Sequence, residues 1–475
     1  MGRRSENVPT VRIVAANVFE DRVGAPGLSP EDIDRERERV REVHRSLEEA
    51  RRSGRMGFME LPHRREGLEA SLDRAREVRD MCDNLLVLGI GGSALGTTAV
   101  HRALNPGLHN LLPRERRGGP RLFVCDNVDP GTVAELLTFL DPAETVVNVV
   151  SKSGGTAETL AQFLAVYGWM RERLGPEAAR RRIVVTTDPT KGFLRRLARR
   201  EGLEALEVPP NVGGRYSVLT PVGLFPLAVV GVDVEALLDG AAYMDAYASR
   251  PDVWENPAYL FGLIHVLFYR AGRTVHVMMP YSDALRDVAD WFRQLWAESL
   301  GKARDLSGRP VHAGPTPVKA VGTTDQHSQL QLYMEGPGDK LITFVEVETP
   351  KAEVDLPPLY PDEEDVAYLG GKTLGQLLLA EKRATEAALT ERGRPNLTLS
   401  MPAVTAHTVG QLLYLLEVAT VFAGGLLGVD PLDQPGVELG KRLTFGLMGR
   451  PGFEALAERV EALAGPVPGR TVPGV

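Results

Sequence analysis

Cysteine is nearly missing from this chain: Cys82 and Cys125 are the only two in 475 residues. Two isolated cysteines cannot build a disulfide framework or a zinc knuckle, and each reads as a small buried hydrophobe. A basic surplus is missing too. The 55 Lys and Arg are outnumbered by 63 Asp and Glu, leaving a net charge of −8, whereas a nucleic-acid surface calls for a domain pI above roughly 9. The longest apolar run, near Val418–Val429, is about half of what a bilayer crossing needs. Met1-Gly2-Arg3-Arg4-Ser5-Glu6 carries a twin arginine with no apolar stretch behind it, so no signal peptide is expected. No short period organises the 49 Gly and 34 Pro, which excludes collagen-like and coiled-coil chains. At 43% hydrophobic and 25% charged residues, the chain is too apolar and too weakly charged to be disordered. The expectation is a cytoplasmic globular enzyme of two to three domains, with no nucleic-acid or membrane partner.

Lysine is scarce as well, since only nine of the 55 basic residues are Lys. In so Arg-biased a chain, a Lys kept inside a sharp motif, such as Lys152 or Lys441, is a candidate for a position that needs an amine.

What is present falls into five stretches. Residues 1–81 are charged and periodic. Ser29-Pro30-Glu31-Asp32 supplies a cap, a first-turn Pro and early acids for a helix to about Ser53, and a second amphipathic stretch covers Glu66–Met81. From 82 to 230, short apolar runs alternate with helical segments. Leu85–Leu88, Arg121–Cys125, Thr145–Val150, Ile183–Thr187 and Ala205–Val208 read as buried strands, a rhythm that means a parallel sheet covered on both faces. A helical linker occupies 231–272. A second series over 273–430 has candidate strands Thr274–Met279, Val311–Ala313, Ile342–Glu348 and Asn396–Met401, and 431–475 forms a C-terminal segment carrying Lys441. The fold class is therefore α/β: two doubly wound domains with parallel sheets flanked by helices, plus N- and C-terminal helical segments.

Two glycine- and hydroxyl-rich turns follow predicted strands and open predicted helices. In Leu88-Gly89-Ile90-Gly91-Gly92-Ser93-Ala94-Leu95-Gly96, glycine lets backbone approach a ligand and the helix start favours an anion. The loop reads as a phosphate or sugar site, with a dinucleotide site or a tight structural turn as alternatives. The dinucleotide fingerprint lacks its acid about twenty residues on, where Leu108-His109-Asn110-Leu111 stands. Ser151-Lys152-Ser153-Gly154-Gly155-Thr156 offers three hydroxyls where an ordinary helix cap needs one, and reads as a phosphate cradle. Tyr368-Leu369-Gly370-Gly371-Lys372-Thr373 resembles a nucleotide P-loop only superficially. Val366 stands where that motif requires its first glycine, so ATP is not implied.

These two turns resemble the signature loops of sugar-isomerase domains, and four further segments narrow the resemblance. They are Asn211-Val212-Gly213-Gly214-Arg215-Tyr216-Ser217, Gln294-Leu295-Trp296-Ala297-Glu298-Ser299, Thr323-Thr324-Asp325-Gln326-His327-Ser328-Gln329 and Asp433-Gln434-Pro435-Gly436-Val437-Glu438-Leu439-Gly440-Lys441. In this order they are similar to the glucose-6-phosphate isomerase (phosphoglucose isomerase) family in its shorter bacterial form, from residue 89 to 441.

The resemblance implies reversible isomerisation of glucose 6-phosphate and fructose 6-phosphate, in glycolysis and gluconeogenesis, through ring opening and a cis-enediolate. Glu298 matches the family's base, with Gln294 one turn earlier on the same helix face and Trp291, Phe292, Leu295 and Trp296 around it in sequence. Arg215, preceded by Gly213-Gly214, would stabilise the enediolate. His327 and Lys441 match the ring-opening pair, and an unperturbed histidine titrates in the right range. Gly92, Ser93, Ser151, Lys152 through its backbone, Ser153, Thr156, Gly214 and Gln294 would hold substrate. No metal or cofactor is expected. The resemblance also implies a homodimer in which His327 serves the neighbouring chain's site. Gly154-Gly155 departs from the bulkier residues of longer family members.

Overall fold

The structure is a computed structural model and describes residues 8–464. Its first sheet runs in the order Arg121–Cys125, Asn84–Leu88, Thr145–Ser151, Ile183–Thr187 and Glu204–Glu207, all parallel. Asn84–Leu88, Thr145–Ser151 and Ile183–Thr187 are buried at every position. Helices cover both faces, which is why these strands show continuous Val and Leu rather than alternation. The chain steps from Asn84–Leu88 outward to Arg121–Cys125, then returns across it to Thr145–Ser151. That reversal opens a crevice beyond the carboxyl ends of Asn84–Leu88 and Thr145–Ser151, the place where such sheets bind ligands.

The second sheet repeats the pattern. Thr316–Lys319, Val275–Pro280, Lys340–Thr349 and Asn396–Ala403 lie side by side and parallel. Its far edge differs from the sequence reading. The N-terminal stretch, expected to be helical, also supplies the short strand Arg12–Val14, which pairs antiparallel with Asn396–Ala403. Three residues are too few to show a period.

One expected strand is corrected. Val311–Ala313 reads as a strand of the second sheet, but Pro310–Ala313 forms a two-stranded antiparallel ribbon with Lys302–Arg304. The sheet strand is Thr316–Lys319, just beyond it. Valine content alone does not separate the two. Pairing does: Pro310–Ala313 bonds to Lys302–Arg304, whereas Thr316–Lys319 pairs parallel with Val275–Pro280.

A shared core joins the halves. Helix Glu66–Met81 packs on Pro221–Val229, while Val234–Ala248 and Pro257–Arg270 pack on Ala406–Leu427. Ala406–Leu427 has a reciprocal capping box at Thr405 and Thr408. It is long and apolar enough to cross a membrane, yet its apolar window is 94% buried inside the protein. Helix Arg286–Leu300 belongs to the same core through buried Trp291, Phe292, Leu295 and Trp296. Cys82 and Cys125 are both buried, as small hydrophobes would be.

Candidate active site

Helix Arg286–Leu300 buries an aromatic face, and that anchorage sets the other face. Gln294 and Glu298 fall one turn apart on it, and Gln294 Nε2 donates to Glu298 Oε1 at 3.1 Å. Glu298 remains one-third exposed.

Opposite stands Arg215, in the single turn Gly214–Tyr216, with its side chain almost fully buried. Its five N–H groups are all engaged. Nε donates to Ser299 Oγ at 2.7 Å, Nη1 to Gln434 Oε1 at 2.8 Å and to Glu298 Oε2 at 3.4 Å. Nη2 donates to the carbonyls of Pro431, at 2.6 Å, and Asp433, at 3.1 Å. Four of these bonds fix the guanidinium, and the long one to Glu298 is the one a substrate oxygen can take over. Tyr216 completes the support, sharing a hydrogen bond with Ser299 Oγ at 2.9 Å. Full burial pushes its phenol up to about 12, so it stays neutral.

The glycine loop closes the site from the first sheet. A Cβ on Gly92 would lie 2.2 Å from the carbonyl carbon of Gly214. Gly91 has φ +57°, and a Cβ there would meet Gln294 Nε2 at 2.9 Å. The loop therefore rests directly on the turn carrying Arg215 and on the helix carrying Glu298. Ser93 sits half-buried on the same turn.

On the adjoining strand, Thr145–Ser151 runs into the second loop. Ser151 Oγ and Thr156 Oγ1 are 2.9 Å apart, Ser153 Oγ and Thr156 Oγ1 3.4 Å, and Gly155 N donates to Ser153 Oγ at 3.3 Å. Thr156 occupies the N-cap of the 18-residue helix Ala157–Leu174 but makes no side-chain cap bond. The hydroxyls thus converge on one another, and the helix start is left to attract an anion. Lys152 points elsewhere: its ammonium donates to Pro210 O at 2.8 Å, so only its backbone faces the loop's work.

Two expected site residues, His327 and Lys441, are exposed and make no hydrogen bond to Glu298. His327 is exposed, on the turn Thr324–His327 beyond strand Thr316–Lys319. Lys319 binds Asp290 Oδ2 at 2.8 Å, which puts that strand end beside the start of helix Arg286–Leu300. Glu298 lies eight residues further along that helix than Asp290, roughly 12 Å along the axis at 1.5 Å per residue. Lys441 is on helix Glu438–Leu447, exposed, with its ammonium 2.7 Å from Glu438 Oε1. Among the described residues, no three His, Cys, Asp or Glu side chains converge as metal ligands would.

Sequence reasoning missed the supports: Ser299, Tyr216, Gln434 and Lys302. The first three lie inside motifs already singled out, so their position in sequence was a signal, though their partners were not visible. Lys302 carried none. Its side chain is 5% exposed, and its ammonium donates to Glu298 O at 2.6 Å and Ser299 O at 2.9 Å and lies 3.7 Å from Asp433 Oδ1. Burial, with the Arg215 charge, holds it below the ordinary lysine range.

Two doubly wound sheets, hydroxyl- and glycine-rich loops at a strand-order reversal, and a carboxylate facing a fixed guanidinium define a sugar-isomerase-type α/β protein. The family model described as phosphoglucose isomerase matches residues 75–451. The glucose-6-phosphate isomerase of Carboxydothermus hydrogenoformans is 48% identical over 445 residues, covering 94% of this chain and 96% of that one. That of Rubrobacter xylanophilus is 53% identical over 401 residues, covering 84% and 90%. A crystal structure of a hypothetical protein from Thermus thermophilus matches with a TM-score of 0.82 at 41% identity, over 93% of this chain and all of that one. A glucose-6-phosphate isomerase from Chlamydia trachomatis matches with a TM-score of 0.71 at 25% identity, over 84% and 77%. The chain belongs to the phosphoglucose isomerase family.

Proposed function

We propose that this chain interconverts D-glucose 6-phosphate and D-fructose 6-phosphate, the aldose–ketose step shared by glycolysis and gluconeogenesis. The observation that carries the reading is the contact between Glu298 and Arg215, 3.4 Å apart, with the guanidinium buried and the carboxylate one-third exposed. One group can move a proton between carbons; the other is already fixed where negative charge develops.

The phosphate is held by Ser151, Ser153, Thr156 and the Lys152 backbone, with Ser93 and Gly92 across the crevice. Holding that remote end positions C1 and C2 at Glu298. After ring opening, Glu298 takes the proton from C2 of the aldose. The electron pair moves into the C1–C2 bond and charge collects on the sugar oxygens, facing Arg215. Glu298 returns the proton to C1, and the proton of the C2 hydroxyl passes to O1, giving the ketose. Gln294 orients the carboxylate through its 3.1 Å bond. His327 and Lys441 serve the ring oxygen and the anomeric hydroxyl.

The reading further takes the enzyme to be a cytoplasmic homodimer in which His327 completes the partner's site. The exposure of His327, on a turn with no bond to Glu298, supports this. So do the exposed apolar side chains of Leu439, Leu447 and Met448, on an arm whose most extensive packing is with Glu454–Ala464.

A coupled assay started from fructose 6-phosphate, with chelator and no added nucleotide, tests the proposal. Glucose 6-phosphate should accumulate, and solvent deuterium should enter C2. Product no higher than in the enzyme-free control would refute it.

A further inference from the structure

Of the nine lysines, Lys302 sits where no assigned role reaches it, buried at the carboxyl end of the base helix. The last carbonyls of a helix have no intrahelical partners, and water usually serves them. Here the Lys302 ammonium serves two, those of Glu298 and Ser299, at 2.6 and 2.9 Å. Its third N–H turns toward Asp433 Oδ1 at 3.7 Å.

Asp433 belongs to the stretch that Arg215 holds from the other side, through the carbonyls of Pro431 and Asp433 and the side chain of Gln434. Arg215 also binds Ser299 and Glu298. The contacts close a ring: base helix end, Lys302, the 431–434 stretch, Arg215, and back to the base helix. Two cations grip one short stretch, and helix Glu438–Leu447 with Lys441 leaves from its far end.

We infer that Lys302 is a positioning residue that fixes the 431–434 stretch, and with it Lys441, relative to Glu298. Taking Glu298 as the base, it rests on the proposed isomerase activity. A tetrahedral ammonium suits three acceptors arranged around a point, whereas a planar guanidinium presents its donors in a fork. This accounts for a lysine in a chain whose basic residues are mostly arginine. Lys302 touches no reacting atom and acts through the two segments it ties.

The consequence is separable from that of losing the base. Glu298→Gln stops isomerisation but leaves ring opening to His327 and Lys441. Lys302→Met loosens both ends of the ring, so isomerisation and anomer interconversion should fall together, each by about 10- to 100-fold, the penalty of a misplacement near 1 Å. KM for fructose 6-phosphate should stay within about threefold, because the 151–156 loop is untouched. Lys302→Arg should recover only part of either rate.

The experiment measures isomerisation and anomerisation of fructose 6-phosphate in wild type, Lys302→Met, Lys302→Arg and Glu298→Gln, well below each melting temperature. A helix cap with no positioning role would lower the melting temperature and leave both rates alone. That result overturns the inference while the isomerase reading stands. Wild type without isomerase activity overturns both. Should Lys302→Met fail to fold, Asp433→Asn carries the test, because Asp433 is exposed and removing its charge cuts the same tie. The two rates should again drop together, and unchanged rates overturn the inference.

Discussion

Arg215 and Glu298, 83 residues apart in the chain, meet at 3.4 Å across the joint between the two sheets. The guanidinium is immobilised by four other bonds while the carboxylate keeps one-third of its surface. An unequal pair of this kind suits proton transfer. The anion can exchange its partner for substrate, and the cation does not have to move.

Glu298→Gln keeps side-chain size and the approach to Gln294 but removes the proposed base. kcat should fall by roughly 10²–10⁴, the usual worth of a positioned general base. KM should change far less, since the proposed phosphate cradle of Ser151, Ser153 and Thr156 is untouched. Steady-state assays from fructose 6-phosphate decide it, and a near-normal kcat would remove Glu298 from the mechanism.

Gly92→Ala adds one methyl where the space is already taken, 2.2 Å from the Gly214 carbonyl carbon. The glycine loop and the Arg215 turn must separate, which misplaces Arg215 and the loop's own contacts together. kcat/KM should drop by about 10²-fold or more, with a lower melting temperature. Gly436→Ala, which meets no atom nearby, is the comparison, and equal behaviour of the two would refute the close-approach argument.

If His327 completes the neighbouring site, two dead enzymes can rescue each other. His327→Ala and Glu298→Gln should each be inactive as homodimers. Mixed after unfolding and refolding together, half the dimers are hybrids with one intact site, giving about a quarter of wild-type activity. Rescue should be absent if His327 serves its own chain's Glu298.

Asp245 should govern acid stability. Burial raises its carboxyl, but bonds from Arg51, Tyr414 and His63 outweigh burial and hold it below the ordinary range. A depressed folded-state value adds stability above the unfolded value, and that stability is lost as pH falls through the folded one. Asp245→Asn should therefore cost about 3 kcal/mol near pH 7, as expected on breaking a buried pair, and show a shallower loss below about pH 4. Urea unfolding at several pH values reads both, and parallel acid limbs for the two proteins would count against it.

Much of the site was legible because its signals are local. The loops at 89–96 and 151–156 concentrate glycines and hydroxyls just past buried strands, and both lie where the strand order reverses. Gln294 and Glu298 share a helix face by spacing alone. What stayed hidden depends on distant contacts. Gln434 matters because Arg215 reaches it over 219 residues, and Lys302 because its ammonium folds back under a helix end. Val311–Ala313 and Thr316–Lys319 are alike as short runs with one valine each; only strand pairing in the folded protein tells the sheet strand from the surface ribbon.

The strand Arg12–Val14 has a consequence for synthesis. Its partner residues, Thr398 to Ser400, follow about 390 residues later. At about 5–20 residues per second, a ribosome leaves that strand waiting for roughly 20–80 s, an unpaired edge able to join the wrong neighbour. Every strand of the first sheet lies between Asn84 and Glu207, so that sheet can close while translation continues. The second cannot be finished until both ends of the chain have emerged. Shortening the chain through Val14 would leave Asn396–Ala403 as a bare edge, and the late, two-ended sheet would be the point at which nascent copies of this protein adhere to one another.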